Sequence, residues 1–242
     1  MKEKIAISID KSMLDLVDSK IDGSMLRNRS QAIEYFLRKG IMKDTITTAV
    51  LLLRGQDQDI VLKNYMGKSL IQKQIEFFSS KGIKKIFLIT QKPNKELREQ
   101  LIDTIVEIID KEARGNASAL SSLKGKIRNN FIVMSGDTYN NFDLLKMIGK
   151  HLSLNKIATM GLMTREKSSD YGTAILDGDF VIDFKEKKAS SSHIVNAGIY
   201  IFKPEIFELI EKDSLENDLF PKLAKINELI GFFTYGEYEH FG

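Results

Sequence analysis

The chemistry in this 242-residue chain gathers around one glycine. The apolar run at residues 49–53 reads as a buried strand, followed by Arg54, Gly55 and Gln56, and then by Asp57 and Asp59. A strand feeding a glycine turn offers backbone N–H groups to phosphate oxygens. The two carboxylates oppose that use, because they put negative charge where a triphosphate would sit. Arg54 either binds an anion in the turn or pairs with Asp57 or Asp59. Further along, Asp137 follows Gly136 at the end of another apolar run, as a metal-binding carboxylate or as a turn former. Glu186 and Lys187 grip ligand oxygens or form a solvated charge pair. Asn196 opens a buried run, and because Asn is disfavoured within strands it favours a functional role. His151, His193 and His240 show no metal-ligand spacing and read as structural or exposed. With no Cys there is no disulfide, thiolate metal site or cysteine nucleophile.

An alternation of strands and helices must position these residues, the mark of an α/β sheet. Residues 85–90 (KIFLIT), 131–134, 158–163 and 196–202 predict strands, with a hairpin about Asp177-Gly178-Asp179. Ser69 opens an amphipathic helix. Residues 96–109 predict another, with Leu97, Leu101, Ile105 and Ile108 inward. This body is expected over residues 48–242, joined through a short polar stretch to a separate segment, residues 1–43.

That segment holds nine Lys/Arg against six Asp/Glu, so the whole excess of +3 lies in it and implies an anionic partner. Residues 3–10 (EKIAISID) alternate as a half-buried strand, Asp10 can cap a helix bearing Leu14, Val17 and Ile21, and Asp22-Gly23 breaks it. Ser30 then caps a second helix with Ile33, Phe36, Leu37 and Ile41 on its apolar face. One strand and two short helices bury too little core alone, a problem that pairing of two copies solves. The segment resembles the ribbon-helix-helix family of DNA-binding repressors. The resemblance implies a homodimer on double-stranded DNA, with Lys4, Ala6 and Ser8 reading bases and Arg29 and Ser30 anchoring a phosphate.

From Thr48 onward the chain resembles the sugar-1-phosphate nucleotidyltransferases. The motifs that carry this are Gly67-Lys68-Ser69-Leu70, Gly115-Asn116-Ala117-Ser118-Ala119-Leu120, Gly136-Asp137, Tyr171-Gly172, Phe184-Lys185-Glu186-Lys187 and Asn196-Ala197-Gly198-Ile199-Tyr200. The fold implied is a Rossmann-like α/β fold with a mixed central sheet. The resemblance implies that Arg54, Gly55, Gln56, Gly115, Ala117, Ser118 and Gly136 face a nucleotide. It places Tyr171, Gly172, Glu186, Lys187, Asn196 and Ala197 in a sugar-phosphate pocket, and a Mg²⁺ ion on Asp137. Three departures stand against catalysis: Asp59 replaces the family's loop arginine, the segment carrying the family's P-K-P-L lysine is missing, and His240 replaces the second metal-binding aspartate. Losing one transition-state donor costs ~3–4 kcal/mol, and here several change together.

The sequence-based expectation is therefore a cytoplasmic DNA-binding transcriptional regulator. Its catalytically degenerate second domain senses a nucleotide, sugar phosphate or nucleotide sugar, or mediates higher oligomerisation. The alternative is an active Mg²⁺-dependent sugar-1-phosphate nucleotidyltransferase with an autoregulatory DNA-binding segment. No apolar run approaches the ~20 residues of a membrane span, so no membrane partner is expected.

Overall fold

Apolar runs rich in β-branched residues become one nine-stranded sheet in the computed structural model, which describes residues 6–23, 26–43, 45–187 and 192–242. The chain divides into two units, Met1–Thr45 and Ile46–Gly242.

The first unit contains helices α1 (Lys11–Asp18) and α2 (Arg29–Lys43). The cap of α2 is Asn28 rather than Ser30. The Asn28 side chain accepts from Gln31 N at 3.0 Å, while the Gln31 side chain accepts from Arg27 N at 3.0 Å, and the helix starts two residues earlier than a Ser30 cap would set it. Ser30 is an exposed residue within the first turn. Asp10 precedes α1 without a side-chain capping bond. Of the expected strand, residues 6–10 form no ladder, and Ala6 and Ser8 are exposed; a lone strand has no edge to pair with inside one chain. Lys4 lies outside the described residues. Arg29 does not present a free guanidinium to a phosphate. It forks onto Asp18 at 2.8 and 2.5 Å, ties α2 to α1, and holds the Asp18 carboxyl below its ordinary value.

The second unit begins with β1 (Thr48–Leu52), a single 3₁₀ turn at Gly55–Asp57 and α3 (Gln58–Leu62). A small hairpin, β2 (Asn64–Tyr65) and β3 (Lys68–Ser69), leads into α4 (Leu70–Ser79). Ser69 and Gln72 form a capping box there, as the Gly-Lys-Ser-Leu sequence anticipates. Then come β4 (Lys85–Thr90), α5 (Lys95–Gln100), β5 (Val106–Asp110), α6 (Asn116–Ser121), β6 (Phe131–Ser135) and β7 (Thr138–Phe142). The chain continues through α7 (Leu144–Leu154), β8 (Ala158–Thr164), the hairpin β9 (Thr173–Asp177) and β10 (Phe180–Lys185), and β11 (Ile194–Phe202). It closes with α8 (Ile206–Leu209), a π-helical turn at Leu215–Leu219, α9 (Phe220–Lys225), β12 (Leu229–Phe233) and β13 (Gly236–His240).

Strand order in the sheet is β5-β4-β1-β6-β11-β8-β12-β10-β9. The first four are mutually parallel, and β11 runs antiparallel to both β6 and β8. Both faces are covered, which is why β1 is apolar from Ala49 to Leu52. Ala49 and Leu51 pack with Ile71, Phe78 and Leu97 on one face, and Val50 packs with Leu120 and Phe220 on the other.

One expected helix is largely a strand. The predicted helix over 96–109 stops at Gln100, and Asp103 turns the chain at φ +59°. The β-branched run that follows pairs in parallel with β4 as β5. Its helical spacing was real, but Ile105-Val106 and Ile108-Ile109 meet the sheet edge, and β-branched side chains fit there better than in a helix.

Candidate functional site

The topology fixes where a ligand can enter. From β1 the chain builds outward to β4 and β5, then returns to add β6 on the opposite side of β1. Such a reversal opens a crevice beyond the carboxyl ends of the strands. Residues just after β1, β4, β5 and β6 all reach it: Arg54, Gln91, Lys111 and Asp137 line one cleft of about 1150 Å³. That exceeds the ~300–1,000 Å³ that suits a drug-sized ligand and leaves room for a nucleotide beside a sugar.

On the β1 side, Gly55 is required by proximity: a Cβ there would stand 2.9 Å from Gln91 O. The Gln58 side chain bridges to the same region, donating to Gln91 O at 2.8 Å and accepting from Asn94 N at 2.7 Å. The turn is thus pinned against the end of β4. Within it Arg54 pairs through Nε with the buried Asp57 carboxylate.

On the β6 side, Gly136 N donates to Leu52 O at 2.8 Å. The buried Gln74 side chain donates to Gly136 O at 2.9 Å and Thr138 O at 2.6 Å. These bonds aim Asp137 into the cleft. Its Oδ2 lies 3.6 Å from His240 Nε2 and 3.8 Å from Arg54 Nη2. Burial pushes the Asp137 carboxyl up, but pairing with His240 and the positive charge of Arg54 outweigh it and leave the carboxyl below its ordinary value. Asp137 raises His240 in return.

The opposite wall comes from the antiparallel half of the sheet. Asn196 N donates to Gly172 O at 2.9 Å and Lys187 N to Tyr171 O at 3.2 Å, which gathers Tyr171, Gly172, Glu186, Lys187 and Asn196. A register shift in β11 shapes the Asn196 corner: its Oδ1 accepts from Gly198 N at 2.9 Å, and its Nδ2 donates to Tyr200 Oη at 2.6 Å. Burial, with Glu216 nearby, raises the Glu186 carboxyl, against the opposing pull of Lys187. At the third side, Asn116 donates to both Glu216 oxygens at 3.0 and 2.8 Å and accepts from Leu215 N at 2.8 Å, fastening α6 to the π-helical turn.

Of the residues expected at the site, Arg54, Gly55, Gln56, Gly115, Asp137, Tyr171, Gly172, Glu186, Lys187 and Asn196 line the cleft. Gly136, Ala117, Ser118 and Ala197 do not. Gly136 supports Asp137 from behind, Ala117 and Ala197 are core, and Ser118 closes the Gly115 turn by accepting from Gly115 N. Asp59 also lies outside the lining, exposed in the first turn of α3. Sequence reasoning missed Asp213, Ser214 and Glu216. The available signal was Ser214, a helix-capping residue shortly before Phe220-Pro221, and the structure shows its side chain accepting from Asn217 N at 3.0 Å. His240 is exposed, as expected, and it also lies beside Asp137, a pairing that the sequence did not signal.

The family model described as "Nucleotidyl transferase" matches residues 60–231. A D-glycero-alpha-D-manno-heptose 1-phosphate guanylyltransferase of Aneurinibacillus thermoaerophilus is 33% identical over 130 residues, 52% of this chain and 56% of that protein. A mannose-1-phosphate guanylyltransferase catalytic subunit beta of Drosophila pseudoobscura pseudoobscura is 29% identical over 182 residues, 69% of this chain and 49% of that protein. The chain therefore spans about half the length of these curated relatives. Among solved structures, HddC from Yersinia pseudotuberculosis superimposes with a TM-score of 0.69 at 23% identity, over 81% of this chain and 93% of that one. A UDP-glucose pyrophosphorylase complexed with UDP-glucose gives 0.68 at 17%, over 80% and 92%.

These matches correct the expected function. A DNA-binding regulator with double-stranded DNA as its main partner has no support in them: the family model covers residues 60–231, and the relatives are named as transferases. The expectation of a degenerate, non-enzymatic domain falls with it. Its chief support was Asp59 opposing a triphosphate, and that carboxylate does not face the cleft.

Proposed function

The chain belongs to the nucleotidyl transferase family, and from that membership we propose that it joins a nucleoside monophosphate unit to a sugar 1-phosphate. A phosphate oxygen of the sugar 1-phosphate attacks the α-phosphorus of a nucleoside triphosphate. The bond from the α-phosphorus to the bridging oxygen breaks, and pyrophosphate leaves. The observation that carries this reading is the cleft between β1 and β6, with a glycine turn on one side and the Tyr171–Asn196 wall on the other. The names of the relatives favour a guanine nucleotide and a mannose- or heptose-type sugar phosphate.

Such a reaction needs placement and charge neutralisation rather than a protein nucleophile. In this reading Gly55, Gln56 and Gly115 lie along the nucleotide. Tyr171, Gly172, Glu186, Lys187 and Asn196 hold the sugar phosphate, with Lys187 the cation nearest its phosphate. Gly136, Ala117, Ser118 and Ala197 act behind the surface as supports. Among the described residues no group of three or more His, Cys, Asp or Glu forms a metal cage. The donor set still fits a divalent cation such as Mg²⁺ that takes its remaining ligands from phosphate and water, because Asp137 supplies an ionised carboxylate at the cleft floor. Asp137 would hold the ion, with His240 beside it, and the ion would offset charge on the phosphate oxygens. For residues 1–43, two helices tied by the Arg29–Asp18 ion pair support a ribbon-helix-helix fold, with no step of the reaction assigned to them.

The test is pyrophosphate release from each of the four nucleoside triphosphates, with mannose 1-phosphate and heptose 1-phosphate as acceptors. GTP should be the best donor, and Asp137→Asn should lower kcat by roughly a hundredfold or more, the scale of one lost charge-stabilising group. Folded protein that releases no pyrophosphate with any pairing would refute the assignment.

A further inference from the structure

We propose that Arg54 contacts the outer phosphates of the nucleoside triphosphate, a role that rests on the transferase reading above and names the cation it uses. The residue stands at the crevice itself, directly after β1 and facing Asp137 across the gap to β6. The other lysines and arginines of the lining sit elsewhere: Lys92, Lys111 and Arg114 follow β4 and β5, and Lys187 belongs to the opposite wall. Charge at position 59 cannot serve, since Asp59 is both acidic and outside the lining.

Arg54 is held for the task. Asp57 N donates to Arg54 O at 3.0 Å, closing the 3₁₀ turn, and the Asp57 carboxylate takes Arg54 Nε from a buried position. The backbone of the turn is fixed in turn by Gly55 against Gln91. Yet the Arg54 side chain is 63% exposed, so its guanidinium remains open to the cleft while tethered at one edge. Five N–H donors in a rigid fork exceed what one carboxylate edge can use, and phosphate suits the remainder as well as carboxylate does. Nη2 at 3.8 Å from Asp137 is beyond hydrogen-bond length, so an incoming phosphate need not break a tight bond there. Asp57 thus orients Arg54, and the phosphate chain takes the face left over.

The experiment is calorimetric titration of the full chain, without acceptor sugar: wild type with each of the four nucleoside triphosphates, and wild type, Arg54→Ala and Arg54→Lys with GTP and with GMP. Melting curves confirm that the variants fold. Arg54→Ala should weaken GTP by roughly tenfold to a hundredfold, the worth of a charge-assisted contact, and leave GMP nearly unchanged. Arg54→Lys should fall between wild type and Arg54→Ala for GTP, because it keeps the charge and loses the fork. GTP affinity unchanged in Arg54→Ala overturns the role and leaves the transferase reading standing. Equal losses for GTP and GMP overturn it in favour of a structural ion pair. If folded wild type binds none of the four triphosphates, the transferase reading itself fails and the Arg54 role fails with it.

Discussion

Gly172 shows how closely the wall formed by Tyr171, Gly172, Glu186, Lys187 and Asn196 is packed. A Cβ at this position would meet Phe184 Cζ at 2.4 Å and Glu186 Oε2 at 2.6 Å, so the chain passes with only hydrogen to spare. Gly172→Ala should displace the Glu186 carboxylate and loosen the Phe184 contact. The expected cost is about 1–3 kcal/mol of stability, read from urea unfolding. KM for the sugar phosphate should rise while KM for the triphosphate holds. A variant with unchanged stability and unchanged KM values would contradict the packing argument. The same scale explains what the sequence made legible at the site. Asp137, Tyr171, Glu186 and Asn196 sit beside glycines or strand ends, and such neighbours mark a turn into a cleft. Asp59 was misjudged because position in a motif does not give direction. With α3 beginning at Gln58, one more step around the helix carries the next side chain to solvent.

At the scale of elements, α7 meets β8 through an unusual buried residue. His151 is fully buried, its Nδ1 lies 2.7 Å from Thr159 Oγ1, and its Nε2 has no protein partner. Burial first, and the charge of Lys203 second, lower it from 6.5 to about 4. The sign follows from the folded value lying below the unfolded one. Above pH 6.5 both states carry neutral imidazole and nothing is lost. Between pH 6.5 and about 4 the unfolded chain takes up a proton that the folded chain refuses, so stability falls as pH falls. The loss approaches about 3 kcal/mol near pH 4. His151→Gln should be less stable at pH 7 but should flatten this part of the profile, and urea midpoints from pH 7 to pH 4.5 would show it. Parallel profiles for wild type and variant would count against the assignment. Elements were readable where one period dominates, as in β1, β4 and the Ser69-capped α4. Residues 96–109 satisfied both a helical and a strand pattern, and only pairing with β4 decided between them.

For the whole molecule, every residue that lines the cleft belongs to Ile46–Gly242. The nine-stranded sheet and both apolar layers lie there as well. Residues 46–242 expressed alone should unfold cooperatively and release pyrophosphate at a rate close to that of the full chain. A fragment without a cooperative transition would show that the first unit contributes to folding, and a folded but inactive fragment beside an active full chain would show that it contributes to the site. The fold of the second unit was legible because its motifs recur in the right order along one alternating pattern. The activity was misread because missing motif residues were counted without knowing which ones the cleft contains.

The strand order has a consequence for how any bound nucleotide acts on the protein. Arg54 and Asp137 lie far apart in sequence and meet only because β1 and β6 lie side by side. A phosphate chain seated across that seam works as a reversible staple between distant stretches of polypeptide. It would tie off a long loop of chain for as long as it stayed bound, and so would favour the folded state.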